Sequence, residues 1–189
     1  IYEARQKQQM ERRHELLTRQ EVLNIIDNQQ LLLRVRAASP PKTPQAVCFY
    51  QLKLHVRPPD DRLLASESFL AAAQLYGLLP EVDRWLVSQI LERHAEALRR
   101  KGLAITLPLA TDSVLDLDFQ NYLLELLAAS VLPASTLYLM VDETIVLDHP
   151  EDGGAFIRRL QQMGCKLIVN DFGRNLNAFD QENGQTIDY

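Results

Sequence analysis

Two hydrophobic periods take turns along this chain, and their order predicts its architecture. Short apolar runs, Leu103 to Leu107, Leu137 to Val141 and Lys166 to Asn170, read as buried strands. Between them lie helical stripes: Phe119, Tyr122, Leu123, Leu126 and Leu127, then Ala155, Phe156, Ile157, Leu160 and Met163 closed by Gly164. Strands separated by helices of this length predict a parallel sheet with helices outside it.

The first half begins differently. Leu31 to Arg36 is a candidate strand, and Ser39-Pro40-Pro41-Lys42-Thr43-Pro44 must be irregular, because proline fixes φ and removes donors. A second candidate strand, Cys48 to Val56, is closed by Pro58-Pro59-Asp60-Asp61. From Ser66 the pattern turns helical through Phe69, Leu70 and Leu75. After Gly77 and Pro80 one longer helix is expected to bury Val82, Trp85, Leu86, Ile90 and Leu91, ending at Arg99-Arg100-Lys101-Gly102, where cations and glycine suit a helix terminus.

Residues 1 to 30 contain no Pro or Gly and carry five acids against five Lys or Arg, the composition of an exposed helix. Met10, Leu17 and Asn24 share one heptad position and Leu16 and Leu23 another, short of the three or four heptads of a firm coiled coil. A linker helix over 1–27 is expected, with homodimerisation through it left open.

At 189 residues, 47% apolar and a net charge of -5, the chain can bury one substantial core and is not a basic DNA binder. No apolar stretch has the length to cross a bilayer, and the opening residues lack the order of a secretory signal. The chain reads as a cytoplasmic domain, with a membrane anchor elsewhere in a longer parent left open. Cys48 and Cys165 lack metal-type spacing and read as reduced structural thiols. His14, His55, His94 and His149 have no ligand spacing, and no glycine-rich phosphate loop or nucleophile elbow is present. Asp148, Glu151 and Asp152 precede a helix and suit its positive N-terminus. The acid in Asn170-Asp171-Phe172-Gly173 follows a strand, where α/β barrels keep their chemistry.

Five phrases in fixed order carry a resemblance: Leu63-Leu64-Ala65-Ser66-Glu67-Ser68-Phe69-Leu70, Tyr76-Gly77-Leu78-Leu79, Val82-Asp83-Arg84-Trp85, Ala104-Ile105-Thr106-Leu107-Pro108 and Val169-Asn170-Asp171-Phe172-Gly173. Together, residues 28–189 resemble the EAL domain of bacterial cyclic-di-GMP phosphodiesterases. The resemblance implies a modified TIM-type (β/α) barrel, incomplete in this chain and preceded by the linker helix, since five strands do not close a barrel of about 250 residues. Gln185 to Tyr189 read as though another strand were about to begin, so a truncated domain is expected. Ile1-Tyr2-Glu3-Ala4-Arg5 resembles the last helix of a GGDEF diguanylate cyclase domain, which implies such a domain as the preceding partner. The stretches Lys101 to Pro108 and Ile145 to Phe179 are similar to the degenerate EAL domain that ends certain enterobacterial membrane-bound diguanylate cyclases.

Active members of that family hydrolyse a phosphodiester with two divalent cations held at strand ends. The resemblance places their Glu-Ala-Leu signature on Gln51-Leu52-Lys53, which substitutes a neutral amide for a carboxylate and brings a cation close by. The family's asparagine falls on Thr106, its metal-binding glutamate on Met140 and its paired aspartates on Asn170 and Asp171, while a later acid persists as Glu143. Four replacements among five ligand positions imply that no two-metal site assembles and no metal cofactor is held; Mg²⁺ or Mn²⁺ enters only if the phosphodiesterase alternative holds. Asp171 then reads as a turn cap and Glu143 as a solvated strand-end acid.

Three readings stay open. The first is an inactive regulatory or interaction domain with a protein partner not named by the sequence. The second is a receptor that binds cyclic-di-GMP without cleaving it. Where the family uses a glutamine and an arginine to contact the dinucleotide, this chain has Arg34-Val35-Arg36-Ala37 and His55, so Arg36, His55 and Asp171 are the candidate ligand contacts, and Arg174 would crowd the pocket. The third is an active phosphodiesterase.

Overall fold

The computed structural model describes residues 17–38, 49–57 and 64–170. Its elements are α1 (Arg19–Asp27), β1 (Leu31–Ala38), β2 (Phe49–Val56), α2 (Ser66–Leu75), α3 (Leu79–Ser88), a π turn (Gln89–Arg93), α4 (Ala95–Lys101), β3 (Ile105–Pro108), α5 (Thr111–Leu115), α6 (Leu117–Ala129), a 3₁₀ turn (Ala134–Thr136), β4 (Leu137–Asp142), α7 (Glu143–Leu147), α8 (Gly153–Gln162) and β5 (Lys166–Asn170). The strands form one sheet in the order β1-β2-β3-β4-β5, with β2 to β5 parallel. The chain divides into two compact units, Ile1–Arg34 with Leu54–Leu78 and Val35–Lys53 with Leu79–Tyr189.

In the first unit, α1 packs on α2. The helix expected to run on from the chain's start has its own beginning at Thr18. Thr18 is extended, its hydroxyl accepts from the Glu21 amide at 3.3 Å, and Glu21 Oε2 accepts from the Thr18 amide at 2.7 Å. This capping box satisfies two of the N–H groups that a helix start leaves without partners. Within α1 the buried residues are Val22 and Ile25, whereas Asn24 is exposed and Leu23 half-buried; Leu17, which shares the heptad position of Asn24, is buried just before the helix. Residues 1–16, where the rest of that pattern lies, are outside the described residues. On α2, Phe69, Ala72 and Ala73 are buried, and the two small alanines leave room for a close helix neighbour, while Leu75 is exposed. The Arg57 amide donates to the Gln30 carbonyl at 2.8 Å, which sets the end of β2 beside the start of β1, as in an antiparallel pair.

In the second unit the strand and helix repeat is as expected. β4 alternates strictly, Leu137, Leu139 and Val141 buried and Tyr138, Met140 and Asp142 half-buried. Its register with β3 and β5 puts Ile105, Leu107 and Leu167 on the same face as the buried set. Phe119, Leu123, Leu126 and Leu127 of α6 and Phe156, Ile157 and Leu160 of α8 are buried. The long helix expected after Pro80 is broken: the His94 amide donates to the Gln89 carbonyl, five residues back, and the chain restarts as α4. Ser130 Oγ, at the end of α6, donates to the Leu91 carbonyl inside that turn at 2.8 Å. Val82, Leu86, Ile90 and Leu91 are buried as expected, joined by Asp83 and Val87, while Trp85 is half-buried. Gly102 takes the left-handed conformation that ends α4, with φ 61°.

Candidate functional site

Strand register decides which of the family positions meet. Tyr50 pairs with Ile105, so Gln51 lies level with Thr106; Thr106 pairs with Tyr138, and Met140 is two residues further along β4. Met140 in turn pairs with Ile168, and Asn170, two residues on, is the register partner of Asp142. Gln51, Thr106 and Met140 thus share the sheet face opposite Leu137, Leu139 and Val141. They step along a diagonal by two residues, about 6.6 Å, from β3 to β4.

Thr106 is the most constrained of the three. The β2 to β3 ladder begins normally, the Tyr50 amide donating to the Ala104 carbonyl at 2.9 Å. The next amide of β2, that of Leu52, donates instead to the Thr106 hydroxyl at 3.2 Å, and that hydroxyl donates onward to the Tyr50 carbonyl at 3.4 Å. A side chain has taken over one rung of the ladder. Thr106 is 1% exposed, and its hydroxyl is engaged by β2 backbone both as acceptor and as donor.

Its neighbours offer no stronger donors. Gln51 is half-buried and neutral, and Met140 is half-buried with a thioether, which hard dications disfavour. Glu143 is the first residue of α7 and half-buried. Asp142, not singled out from the sequence, caps α7: its Oδ1 accepts from the Thr144 amide at 2.8 Å and the Thr144 hydroxyl at 2.6 Å. The donors that these described residues offer do not fit a pair of Mg²⁺ or Mn²⁺ ions. Among the described residues, no three His, Cys, Asp or Glu side chains gather as a metal site. Asp171 and Arg174 lie outside the described residues.

The other candidates are spread along two strands. Arg36 is exposed on β1, and His55 is half-buried near the end of β2. On the face that carries Met140, Tyr138 stands between Phe49, ring centroids 5.1 Å apart, and Lys166, whose Nζ donates to the Tyr138 hydroxyl at 3.0 Å and lies 4.9 Å from the ring centre. Cys165 is buried just before β5, and burial pushes its thiol up to about 11, which keeps it protonated and unreactive.

A second polar feature lies behind β3. Asp83 of α3 is 6% exposed, and its Oδ2 accepts from the Ala110 amide at 2.8 Å. Ala110 precedes α5 and has no side chain able to cap it, so the acid of another helix does so across 27 residues. Burial pushes the Asp83 carboxyl up to about 6, against the opposing pull of Ser113 and the Ala110 amide. The signal was visible in sequence: Asp83 occupies a position of the apolar stripe it forms with Leu86, Val87 and Ile90.

Comparison with known proteins agrees with this architecture. The EAL domain family matches residues 42–189. Among curated proteins, the probable diguanylate cyclase DgcE of Escherichia coli (strain K12) is 26% identical over 165 residues, covering 87% of this chain and 15% of that protein. The cyclic di-GMP phosphodiesterase PdeF of the same organism is 26% identical over 132 residues, covering 69% of this chain and 18% of that one. Among solved structures, the S helix-GGDEF-EAL portion of Vibrio cholerae LapD superposes in its apo form with a TM-score of 0.71 at 18% identity, covering 85% of this chain and 39% of that one. Its form bound to c-di-GMP gives a TM-score of 0.68 at 19% identity, covering 84% of this chain and 38% of that one. The chain thus spans less than a fifth of the length of these two curated relatives. Its fold is the α/β, modified TIM-type barrel of EAL domains, and the five strands among the described residues do not close it. With the family matching most of its length, the chain belongs to the EAL domain family.

Proposed function

We propose that this is a catalytically inactive EAL domain that regulates, or docks a partner within, a bacterial cyclic-di-GMP signalling protein. A GGDEF domain in the same chain would precede it, with residues 1–27 as the link between the two. The observation that carries the reading is the Thr106 hydroxyl: the position implied to supply a metal oxygen spends that oxygen on the Leu52 amide and Tyr50 carbonyl. Gln51 and Met140 support it by removing two negative charges that a pair of dications needs.

The fold alone supplies none of this chemistry, because function resides in the side chains it carries. Names such as those of PdeF and DgcE therefore bear on signalling context and not on turnover here. The test is calorimetric titration of cyclic-di-GMP into the full-length protein with Mg²⁺ present, followed by chromatography of the mixture. The proposal expects neither saturable heat nor linear dinucleotide. Heat with intact ligand would make the domain a receptor, and linear product would make it an enzyme.

A further inference from the structure

We propose that the sheet face bearing Gln51 and Lys53 is a metal-independent phosphate site, with the Lys53 ammonium supplying charge and the Gln51 amide a directed hydrogen bond. The inference rests on the reading that this face holds no metal pair, and it names the ligand class that the replaced residues take instead. Two Lys or Arg side chains are half-buried among the described residues, Lys53 and Arg84. Arg84 lies over the Tyr122 ring, 4.9 Å from its centre, whereas Lys53 has no hydrogen-bond, ion-pair or ring partner among the described residues. An ammonium partly withdrawn from water without a counter-charge is costly, and an incoming anion relieves that cost.

A second donor stands beside it. Gln51, two residues back on β2, is half-buried on the same face, about 6.6 Å away along the strand, and its side-chain amide is likewise without a partner among the described residues. Carried on from Tyr50 and Ile105, the register sets Gln51 level with Thr106 and Lys53 level with Pro108, which pairs with Met140. These neighbours bring no acid: the Thr106 hydroxyl is engaged by β2 backbone, and Pro108 and Met140 are uncharged. The acids that follow, Asp142 and Glu143, lie at the end of β4 and the start of α7, and Asp142 Oδ1 is turned to the Thr144 amide and hydroxyl. A further cation, Lys166, stands on this face at the start of β5, its Nζ donating to the Tyr138 hydroxyl. The described part of the face therefore carries positive charge where a pair of dications needs negative charge.

The donor types select the anion. Lysine is a compact point charge and lacks the planar fork with which arginine grips a carboxylate, whereas the diverging oxygens of a phosphate accept from an ammonium and an amide at once. A phosphate monoester carries about 1.5–2 negative charges at pH 7, more than each phosphate of a cyclic diester, so a single lysine favours the monoester or free phosphate.

The test is side-chain NMR of the full-length protein, titrated with inorganic phosphate in EDTA at constant ionic strength. The Lys53 Cε and Gln51 side-chain amide signals should shift together and saturate, and acetate should leave them unmoved. Lys53→Met should abolish the Gln51 response, Lys53→Arg should keep it, and Gln51→Glu, which sets a carboxylate on the face, should weaken binding. Lys53 signals that fail to saturate with phosphate, that respond equally to acetate, or a Gln51 response that persists in Lys53→Met would overturn the proposal and leave the inactive reading standing. Binding that appears only when Mg²⁺ replaces EDTA would overturn both.

Discussion

The Leu52 amide of β2 donates its hydrogen bond to the side chain of Thr106 on β3, where a regular parallel ladder would use backbone. The exchange explains how the strand pair tolerates a polar residue that is almost fully buried. It also gives Thr106 a structural duty separate from any ligand. Thr106→Val keeps the shape and removes the hydroxyl, so Leu52 loses its acceptor. Urea unfolding should show a loss of about 1–3 kcal/mol, with Thr106→Ser, which restores the oxygen, recovering much of it.

Restoring family residues one at a time should not restore metal binding. Gln51→Glu, Met140→Glu and Asn170→Asp each add one charge without the others, and Thr106→Asn must first displace the bond to Leu52. The four together are expected to bind Mn²⁺ measurably in a calorimeter where each single variant does not. Binding by a single variant as tight as by the fourfold one would show that the missing charges are not the obstacle.

Asp83 makes stability depend on pH with a definite sign. Its folded-state pKa is raised to about 6 from a model-peptide value of 3.8, so between these values the folded protein keeps a proton that the unfolded chain has released. The contribution is complete below about pH 4 and is lost as the pH rises through 6, for a total of about 3 kcal/mol at most. Denaturation of wild type and Asp83→Asn at pH 4.5 and pH 7 should show the difference between them moving in favour of the variant as the pH rises.

Packing between α7 and α8 depends on Gly153. A Cβ there would stand 2.9 Å from Ile145 Cγ2 and 3.3 Å from Leu115 Cδ2, both side chains, and Ile145 is fully buried. Gly153→Ala should therefore lower stability by about 1–3 kcal/mol, read as a fall in the urea midpoint without change of slope.

Cys165 should resist alkylation in the native state, because burial holds its thiol near 11 and only a small fraction is thiolate at pH 8. Mass spectrometry after a pulse of iodoacetamide should find it unmodified in buffer and modified in urea.

Which parts of this were legible in the sequence follows from how local their causes are. Lys166–Asn170 is a strand with the bounds its apolar run suggested, and α8 ends one residue before the expected position, because breakers and periodicity act over a few residues. The third strand starts at Ile105 and not at Leu103, since the Leu103 amide is drawn back to the Leu98 carbonyl to finish α4. The π turn leaves no mark in the sequence because apolar spacing tolerates one extra residue. Thr18 and Glu21 were a readable capping box hidden inside a run with no Pro or Gly. At the site, the replacements at Gln51, Thr106 and Met140 were plain from residue type, but the bond from Leu52 to Thr106 depends on strand register. Asp83 acts on an amide that the fold brings to it across 27 residues, whereas Asp142 caps Thr144 two residues on, a local signal at the end of an apolar run.

The most direct test of the central claim is turnover by the wild-type protein, incubated in excess over cyclic-di-GMP with Mg²⁺ and separately with Mn²⁺, and followed by chromatography for hours. The account predicts that the cyclic dinucleotide is recovered intact under both metals. Linear dinucleotide accumulating with wild type, and lost on removal of the metal with EDTA, would contradict it.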